Sequence, residues 1–397
     1  MKHLHSIGEM REAARQRLPR MVFDYIDGGA GRERSVARNA ASFEEVSLVP
    51  RVLAGAVDRS QSVELFGHTY SAPFGIAPLG LANVVRPGTD LALARAAGVA
   101  GVPYVLSTAA SSTIESVAAV APNSWFQLYV GRDAFIVDDL VSRAEAHGLP
   151  VLVVTADVPA PGKRVRDLVN GFTVPLRPSV RMAIDVMTHP RWSLSMTLGG
   201  TPCFANLQRY ERRRASSQSL AAFMSAQCSA RLDWDLLQQM RDRWPRTLVL
   251  KGILDPRDAT RARGIGVDGL IVSNHGGRQI DSAPAPLEVL AQVRAAVGGV
   301  FPLLLDGGIR SGDDVIRALA LGANAVLLGR GFLYAVAALG LSGPGTLIGL
   351  LRDEVDRVLA QIGCRCIGDL DGMLLLRRGE LFDRYQDVKP MHETLAS

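Results

Sequence analysis

Polar residues suited to acid–base chemistry stand directly after apolar runs of the sequence. His275 and Arg278 follow the run that starts at Gly269, and Asp157 ends the run that starts at Val151. An imidazole can take a proton, an arginine can hold a carboxylate, and an aspartate can orient the imidazole and stabilise its protonated form. Together these residues predict a site that removes a proton beside a substrate carboxylate.

A lysine closes another apolar run. Lys251 is one of only four lysines among 44 basic residues, and it follows the run that begins at Thr247. A lysine in this position can form a Schiff base with a carbonyl substrate, as in an aldolase. It can equally place positive charge beside a cofactor that becomes anionic. The residues alone leave both interpretations open.

Two glycine turns, each with an arginine close by, predict a phosphate site. Gly308 precedes Arg310 by two residues, and Gly329 directly precedes Arg330. Glycine lets backbone N–H groups approach an anion, and arginine can add bidentate contacts. A phosphosugar isomerase would use the same kind of site, so this class stays an alternative. The sequence contains no HExxH motif, clustered His/Cys ligand set or Walker loop, and we therefore predict no metal site.

Eight short apolar runs that alternate with helical patterns must position these side chains. Most are continuous Val/Leu/Ile runs, which is typical of parallel strands buried on both faces. Eight strand–helix units predict an α/β fold of the (β/α)8 TIM-barrel type, whose active sites lie at the carboxyl ends of the strands. An open doubly wound sheet is the alternative. The runs are Phe74–Pro78, Tyr104–Thr108, Trp125–Val130, Val151–Asp157, Thr247–Lys251, Gly269–His275, Pro302–Gly308 and Ala325–Arg330.

The whole chain, 1–397, is predicted to form one domain in which two segments lie outside the repeat. Residues 1–60 form an N-terminal helical extension with helices over Ile7–Arg17 and Pro19–Asp27. The barrel comprises 70–176 and 240–362. The remaining segment, 177–230, is a long insertion after the fourth strand, and loops of that length are usually functional or disordered.

The net charge of +5 first suggests a nucleic-acid-binding module. However, residues 177–214 contain seven arginines against Asp185 and Glu211, so this segment holds the whole excess and the rest of the chain is neutral. We therefore expect no nucleic-acid partner. A hydrophobic content of 48% excludes a disordered protein, and four cysteines in this length indicate a reducing compartment.

The segment Ser273–Asp281, with sequence SNHGGRQID, resembles the active-site signature of the FMN-dependent L-2-hydroxy acid dehydrogenase/oxidase family. The resemblance covers nearly the whole chain, from Tyr25 in FDYIDGGA to Gly363. It implies a (β/α)8 barrel, usually tetrameric, that binds FMN and oxidises an (S)-2-hydroxy acid to the 2-oxo acid. We therefore expect an FMN-dependent oxidoreductase that forms a homotetramer.

The resemblance also assigns roles to individual residues. His275 matches the family's base, Asp157 matches its partner, and Lys251 matches the lysine near flavin N1 and C2=O. Tyr129 matches the tyrosine that contacts the substrate hydroxyl. The residues that match the substrate-binding positions are Tyr25, Tyr129, Arg164 and Arg278. The residues that match the cofactor-binding positions are Ala77, Pro78, Ser107, Gln127, Thr155, Lys251, Ser273, Asp306, Gly308, Arg310, Gly329 and Arg330.

Further similarities narrow the reaction. Gly80 stands where the oxidases of the family typically have alanine, so we expect a dehydrogenase that reacts poorly with oxygen. The segments RDLVNGFTVP and LAQIGC are more similar to members that act on (S)-mandelate, whereas PAPGKRVRD and KGILDP are shared with members that act on L-lactate. We expect (S)-mandelate to be converted to benzoylformate, with L-lactate as the alternative substrate and a membrane quinone as the electron acceptor.

The insertion also resembles that of the membrane-associated members, which carry a similar HPRW-type segment. Its apolar residues alternate with arginines, a pattern that favours an anchor on an anionic membrane surface through 177–214, on the cytoplasmic side of the inner membrane. A solvated or subunit-packing loop is the alternative. The uncharged stretch 331–351 instead predicts two short buried helices joined by a turn. The apolar residues of the predicted anchor are Met182, Ile184, Met187, Trp192, Leu194, Met196, Leu198 and Phe204.

Overall fold

The computed structural model describes residues 4–172, 180–200, 202–211 and 232–377, and eight parallel strands form its centre. Hydrogen bonds join the strands in their order along the chain, and the first of the eight pairs with the last. A parallel bridge between Ile76 and Tyr104 links the two ends of the sheet, which is therefore a nearly closed barrel. The predicted TIM barrel is confirmed. The strands are β4 Phe74–Ile76, β5 Val105–Ser107, β6 Trp125–Tyr129, β7 Val151–Thr155, β8 Thr247–Ile253, β9 Gly269–Val272, β10 Leu303–Asp306 and β11 Ala325–Leu328.

Helices surround the barrel, and several begin at a side chain that caps the amino end of the helix. The side chains of Asp133, Asp255 and Ser311 each accept a hydrogen bond from a backbone N–H in the first turn of the helix that follows. The helices are α1 Ile7–Arg17, α2 Arg20–Asp27, α3 Arg34–Glu44, α4 Thr89–Ala100, α5 Ile114–Ala118, α6 Ala134–Ala146, α7 Val165–Asn170, α8 Val180–Met187, α9 Pro190–Gly199, α10 Gln208–Glu211, α11 Trp234–Arg243, α12 Pro256–Ile265, α13 Pro286–Val297, α14 Gly312–Ala320, α15 Arg330–Leu339 and α16 Gly343–Ile362.

A hairpin closes the amino end of the barrel. Its strands are β2 Val63–Leu65 and β3 His68–Tyr70, which pair antiparallel. Phe66 packs edge-on against Trp125 at a centroid distance of 5.4 Å, and the Trp125 indole N–H donates to the Tyr70 hydroxyl at 3.0 Å. Aromatic side chains thus fill this end of the barrel in the described part of the chain, and the carboxyl ends of the strands are the end left for a ligand.

The N-terminal extension covers part of that carboxyl end. Helices α1 and α2 match the predicted Ile7–Arg17 and Pro19–Asp27 closely. Ile7, Met10 and Ala14 bury the inner face of α1, which packs against α15. A short strand, β1 Val46–Leu48, then pairs antiparallel with β12 Leu375–Arg377 at the other end of the described chain.

The predicted membrane anchor divides into two kinds of surface. Ile184, Met187, Leu194 and Leu198 are all more than half exposed on α8 and α9. The expectation that Trp192 and Phe204 also face the membrane is wrong, because both are buried against the barrel. The Trp192 indole N–H donates to the Val84 carbonyl at 2.9 Å. Four of the seven arginines behind this prediction, Arg177, Arg212, Arg213 and Arg214, lie outside the described residues.

The uncharged stretch 331–351 also differs in part from expectation. A turn does separate two helices, but it lies at Gly340–Ser342 and not at the expected Ser342–Thr346, because Gly343–Thr346 form the first turn of α16. The second helix is also not short, since α16 runs for 20 residues. Among the described residues, Arg330–Ile362 is the helical region apolar and long enough to cross a membrane, yet half of its most apolar window is buried inside the protein. The turn and the burial favour a core position for both helices.

Candidate active site

A cavity of about 550 Å³ opens at the carboxyl ends of the strands and gathers most of the predicted site residues. Its volume is in the range of small-molecule and cofactor sites. The predicted residues that line it are Tyr25, Ala77, Pro78, Tyr129, Thr155, Arg164, Lys251, His275, Arg278, Asp306, Gly308, Arg310, Gly329 and Arg330. The other four, Asp157, Ser107, Gln127 and Ser273, lie behind this lining.

His275 and Asp157 form a hydrogen-bonded pair in the cavity wall. The Nδ1 atom of His275 lies 2.9 Å from Oδ1 of Asp157, and its Nε2 atom lies 3.4 Å from the Tyr129 hydroxyl. Burial would raise the pKa of Asp157, but interaction with the neighbouring His275 and Lys251 outweighs burial and lowers it. Asp157 is therefore a carboxylate that orients the imidazole, with Nε2 on the cavity side.

The backbone at His275 has an uncommon conformation. Its φ of 58° lies in the left-handed region that favours glycine, directly after strand β9. The His275 N–H donates to the Ser273 hydroxyl at 3.0 Å, and the Gly277 N–H donates to the Asn274 side-chain oxygen at 3.1 Å. These bonds hold a strained turn of the kind found at active sites.

Lys251 lies on β8 between two carboxylates. Its Nζ atom is 3.0 Å from Asp306 Oδ2 and 3.8 Å from Asp157 Oδ2, and it donates to the Ser273 hydroxyl at 2.8 Å. Burial alone would lower the pKa of Lys251, but Asp306 and Asp157 outweigh burial and raise it. Lys251 is therefore a fixed cation, and because a protonated amine is not a nucleophile, this geometry argues against the Schiff-base interpretation.

Two polar residues behind the lining, Ser107 and Gln127, join Thr155 in a series of buried hydrogen bonds. The Ser107 hydroxyl donates to Gln127 Oε1 at 2.9 Å, and Gln127 Nε2 donates to the Thr155 hydroxyl at 3.0 Å. Ser107 and Gln127 thus reach the cavity through Thr155. Resemblance to a family can identify these three hydrogen-bonded residues, whereas no spacing rule within the sequence does.

Two arginines form the cationic part of the cavity. Arg278 donates from Nη1 to the carbonyl oxygens of Tyr25, at 2.8 Å, and Gly28, at 3.1 Å. Burial, together with repulsion from Arg164, lowers the pKa of Arg278 to about 9, so it stays protonated at neutral pH. Two cations that repel each other across an open cavity favour an anionic ligand between them.

The glycine turns form the opposite part of the cavity. Gly308 has a φ of 91°, and a Cβ atom there would come 2.1 Å from the Asn39 carbonyl oxygen, so only glycine fits. Gly329 precedes α15 and provides no side chain to cap it. The first N–H groups of α15, together with the nearby Arg310, are therefore positioned for a phosphate.

The role expected of the Arg330 side chain requires a correction. Its guanidinium donates to the carbonyl oxygens of Ile26, Gly28 and Gly276 at 3.1, 2.8 and 2.9 Å. The bidentate phosphate contact expected of this side chain does not fit that arrangement. Arg330 instead fastens the N-terminal extension to the turn that follows His275, and what it offers a phosphate is its backbone N–H.

Sequence reasoning missed the apolar wall of the cavity as part of the site. Phe172, Phe204, Leu168 and Val158 line it, and Phe172 stacks on Tyr25 with ring centroids 4.5 Å apart. Phe204 comes from the insertion and had been expected to face a membrane. No local pattern distinguishes an aromatic residue that returns to the barrel from one that points outward, so only the folded chain identifies it.

Comparison with known proteins agrees with this geometry. The family model described as FMN-dependent dehydrogenase matches residues 14–377. The chain belongs to this family. Among its relatives, (S)-mandelate dehydrogenase of Pseudomonas putida is 43% identical over 379 residues, which cover 95% of each chain. An L-lactate dehydrogenase of Xanthomonas campestris pv. campestris (strain B100) is 40% identical over 376 residues, covering 94% of this chain and 97% of the relative.

Solved structures of related proteins have the same fold. The crystal structure of the monotopic membrane protein (S)-mandelate dehydrogenase has a TM-score of 0.90 and 43% identity, and the match covers 95% of this chain and 100% of that one. A mandelate oxidase structure has a TM-score of 0.81 and 37% identity, over 95% and 99% of the two chains. The chain is thus an oxidoreductase of the FMN-dependent 2-hydroxy acid dehydrogenase group.

The cavity of this FMN-dependent dehydrogenase fits its cofactor. Asp306 Oδ1 is buried without a hydrogen-bond partner, and it lies in the lining where a hydroxyl donor of a ribityl chain can satisfy it. Gly308 lies in the same lining and has no side chain that could cover its backbone. Lys251 supplies a fixed positive charge. Polar, cationic and glycine-lined surfaces therefore occur together in one cavity, as a flavin mononucleotide requires.

Proposed function

We propose that this FMN-dependent dehydrogenase oxidises an (S)-2-hydroxy acid to the corresponding 2-oxo acid. The observation that carries the proposal is the cationic pair of Arg164 and Arg278 in the same cavity as the hydrogen-bonded pair of His275 and Asp157. When bound, FMN supplies the acceptor for the two electrons that leave the substrate. The other contributions to the reaction come from side chains of this chain.

The carboxylate of the substrate binds between Arg164 and Arg278. Arg278 is held by the Tyr25 and Gly28 carbonyl oxygens, which leaves part of its guanidinium directed into the cavity. Tyr25 lies under this guanidinium, with the Arg278 Cζ atom 5.2 Å from the ring centroid. A carboxylate relieves the repulsion between the two arginines, so binding also orients the hydroxyl-bearing carbon.

His275 acts as the base. Its Nε2 atom is directed to the cavity, since Nδ1 is bonded to Asp157, and the carboxylate of Asp157 stabilises the positive charge that the ring gains with the proton. The Tyr129 hydroxyl, 3.4 Å from Nε2, contacts the substrate hydroxyl and the carbonyl that replaces it. The geometry serves proton removal from either the α-carbon or the hydroxyl.

The other lining residues hold the flavin. Lys251 places positive charge where a flavin that accepts electrons becomes more negative, and Asp306 and Ser273 fix the position of its ammonium group. Ala77 and Pro78 would lie against the ring of a bound flavin, and Thr155, held by Gln127 and Ser107, would offer it a hydroxyl. Asp306, Gly308, Arg310 and the N–H groups after Gly329 would hold the ribityl chain and phosphate.

The apolar wall favours an aryl substrate, so we propose (S)-mandelate with benzoylformate as the product. Phe172, Phe204 and Leu168 provide apolar surface in the same cavity as Arg164. We expect the substituent of the hydroxy acid to lie against this surface. Burial of a phenyl ring there is more favourable than burial of a methyl group. L-Lactate is the second candidate substrate, because a relative named L-lactate dehydrogenase is 40% identical to this protein.

We further propose that the enzyme is a peripheral membrane protein, on the cytoplasmic side, that passes electrons to a membrane quinone. The four exposed side chains of α8 and α9, Ile184, Met187, Leu194 and Leu198, support this location. The related (S)-mandelate dehydrogenase is described as monotopic. We also expect a homotetramer, as is usual in this family.

The decisive experiment is anaerobic reduction of the yellow holoprotein. (S)-Mandelate, L-lactate and glycolate are added in parallel, the loss of flavin absorbance is followed, and oxygen is then admitted. We expect the fastest bleaching with (S)-mandelate and slow recovery in air. A protein that takes up no FMN, or that no hydroxy acid bleaches, would contradict the proposal, and faster bleaching with L-lactate would reverse the choice of substrate.

A variant tests the membrane location separately. Replacement of Ile184, Met187, Leu194 and Leu198 by glutamine removes the exposed apolar surface and leaves the buried Trp192 and Phe204 in place. We expect the variant to lose binding to vesicles that contain anionic lipid while it keeps its bleaching by substrate. Unchanged partition would show that these side chains are not the anchor.

A further inference from the structure

The helix that carries Arg164 has no apolar anchor of its own. Helix α7, Val165–Asn170, begins directly after Arg164, and none of its six residues is buried. Its apolar residues are largely exposed, Leu168 by 67% and Val169 by 61%, and Leu168 borders the open cavity. A helix of six residues is not stable by itself. The position of Arg164 in the cavity must therefore depend on contacts that fix α7 to the rest of the protein.

Phe172, two residues after α7, stacks on Tyr25 of α2. The contacts of α7 itself are polar, and most involve one side chain. Arg166 donates from Nη1 to Asp27 Oδ2 at 3.1 Å and to Asp24 Oδ1 at 3.4 Å, and its Nη2 pairs with Glu33. Asn170 adds a bond from Nδ2 to Asp24 Oδ2 at 2.7 Å. Asp24 and Asp27 are both buried. They lie on α2, one on either side of Tyr25 in the chain, so Arg166 joins α7 to the helix that carries a substrate-site tyrosine.

The opposite side of the substrate site is fixed to the same segment. Arg278 is held by the carbonyl oxygens of Tyr25 and Gly28. On the Arg164 side, the Gly31 N–H donates to the carbonyl of Lys163, the residue before Arg164, at 2.9 Å. Residues 24–33 are therefore the common support of both arginines. Arg278 is attached to the backbone of residues 24–33, whereas α7 is attached chiefly to the carboxylates of Asp24, Asp27 and Glu33 in the same segment.

We propose that Arg166 is a positioning residue that fastens α7 to α2 and thereby sets the distance between Arg164 and Arg278 that the substrate carboxylate requires. The inference rests on the proposed function, because it assigns a purpose to the spacing of the two arginines. Arg166 follows Arg164 by two residues in the sequence. It affects the substrate only through the position of Arg164.

The fold itself does not depend on Arg166. Asp27 keeps two other partners, since Arg11 donates to both of its oxygens at 2.6 and 2.8 Å and the Tyr334 hydroxyl donates at 2.7 Å. Asp24 keeps Asn170 and the nearby Arg20. Loss of the Arg166 guanidinium thus leaves no buried carboxylate without a partner, and α2 stays in place. The change is confined to the attachment of α7.

The test compares Arg166→Met with Arg20→Met in the FMN-loaded protein. Arg20 also pairs with Asp24, at 3.4 Å, but both residues belong to α2 and the pair does not reach α7. Three quantities are measured: hydrogen exchange of the amides of 165–172, the Kd of benzoylformate from its perturbation of the flavin spectrum, and the KM and kcat for the hydroxy acid. The hydrogen-exchange measurement does not depend on turnover.

For Arg166→Met we expect faster exchange over 165–172, a Kd and a KM at least tenfold higher, and a kcat changed less than threefold, because the reacting groups stay in place. Arg166→Lys should fall between this variant and wild type, since one ammonium group cannot bridge three carboxylates. Arg20→Met should match wild type in all three measurements. If Arg166→Met fails to fold, Asn170→Ala removes the other bond of α7 to α2 and should give the same effects at smaller size.

The outcomes separate this inference from the proposed function. Wild-type exchange and wild-type Kd in Arg166→Met, or equal changes in Arg20→Met, would overturn the role of Arg166. A large loss of kcat with an unchanged KM would overturn it as well, because it would place Arg166 in the chemical step. Failure of the wild-type protein to bind benzoylformate, lactate or pyruvate would instead contradict the proposed function, and the exchange measurement would still decide whether Arg166 holds α7.

Discussion

The Nδ1 atom of His275 lies 2.9 Å from Oδ1 of Asp157, which joins the turn after β9 to the end of β7. This bond fixes the ring so that Nε2 is the atom available to the cavity. It also explains why His275 tolerates a φ of 58°, since the hydrogen bond and the Ser273 hydroxyl hold the turn in place. The position of the base is therefore determined by two strands at once.

Replacement of His275 by asparagine should leave FMN bound and abolish most of the reduction by substrate. A positioned base contributes about 10²- to 10⁴-fold to the rate of a proton transfer, and we expect the anaerobic bleaching rate to fall within that range. His147→Asn is the matched control, because His147 is exposed and bonds only to its own helix in the described contacts. Bleaching at the wild-type rate in His275→Asn would refute the assigned base.

Replacement of Lys251 by methionine should reduce both stability and cofactor retention. The variant leaves Asp306 and Asp157 buried without their shared cation. Breaking a buried ion pair by removing one partner costs about 3–5 kcal/mol. We expect a lower thermal midpoint and weaker FMN binding, measured by unfolding and by flavin released on dialysis. The double variant with Asp306→Asn should recover part of the lost stability, and a further loss would contradict the charge argument.

Replacement of Phe204 by alanine should change substrate preference. Loss of its ring from the apolar wall removes contact with a phenyl substituent, and a contact of this kind contributes about 1–3 kcal/mol to discrimination. We expect kcat/KM for (S)-mandelate to fall about tenfold or more and that for L-lactate to change less than threefold. Leu198→Ala, on the exposed side of the same insertion, is the control. Equal losses with both substrates would show that Phe204 does not contact the substituent.

Asp90 predicts a pH dependence of stability. It lies in the first turn of α4, its Oδ2 accepts from the Ser111 N–H at 2.8 Å, and its Oδ1 is buried without a partner. Burial raises the pKa of Asp90 from 3.8 to about 7. The native state therefore favours the protonated form of Asp90. The contribution of this group to stability is greatest below about pH 4 and is lost as the pH rises through 7, by on the order of 4 kcal/mol at 1.4 kcal/mol per pKa unit.

The variant Asp90→Asn mimics the protonated form and should remove that dependence. Its thermal midpoint should match wild type near pH 4 and exceed it at pH 8. Asp242→Asn, on the surface of α11, should follow wild type at both values. A midpoint difference between Asp90→Asn and wild type that is the same at pH 4 and pH 8 would show that the Asp90 carboxyl does not titrate in this range.

The sequence by itself determined the barrel and the residues at its carboxyl end. Continuous apolar runs define parallel strands locally, and any residue that follows such a run is brought to the same face whatever the loops do. For this reason the sequence pattern alone places His275, Lys251 and Asp306 together. Asp157 and Arg278 belong to the same group, because each lies within a few residues of a strand end.

Only the tertiary structure decided what the side chains outside the repeat contact. Trp192 and Phe204 have the composition of a membrane anchor yet pack on the barrel, and Arg330 holds three backbone carbonyls rather than facing a phosphate. Arg166 reaches carboxylates more than 130 residues away in the chain. Such contacts depend on how separate elements approach each other, because an aromatic or charged side chain on an irregular segment can be satisfied by solvent, membrane or protein, and the sequence pattern is the same in each case.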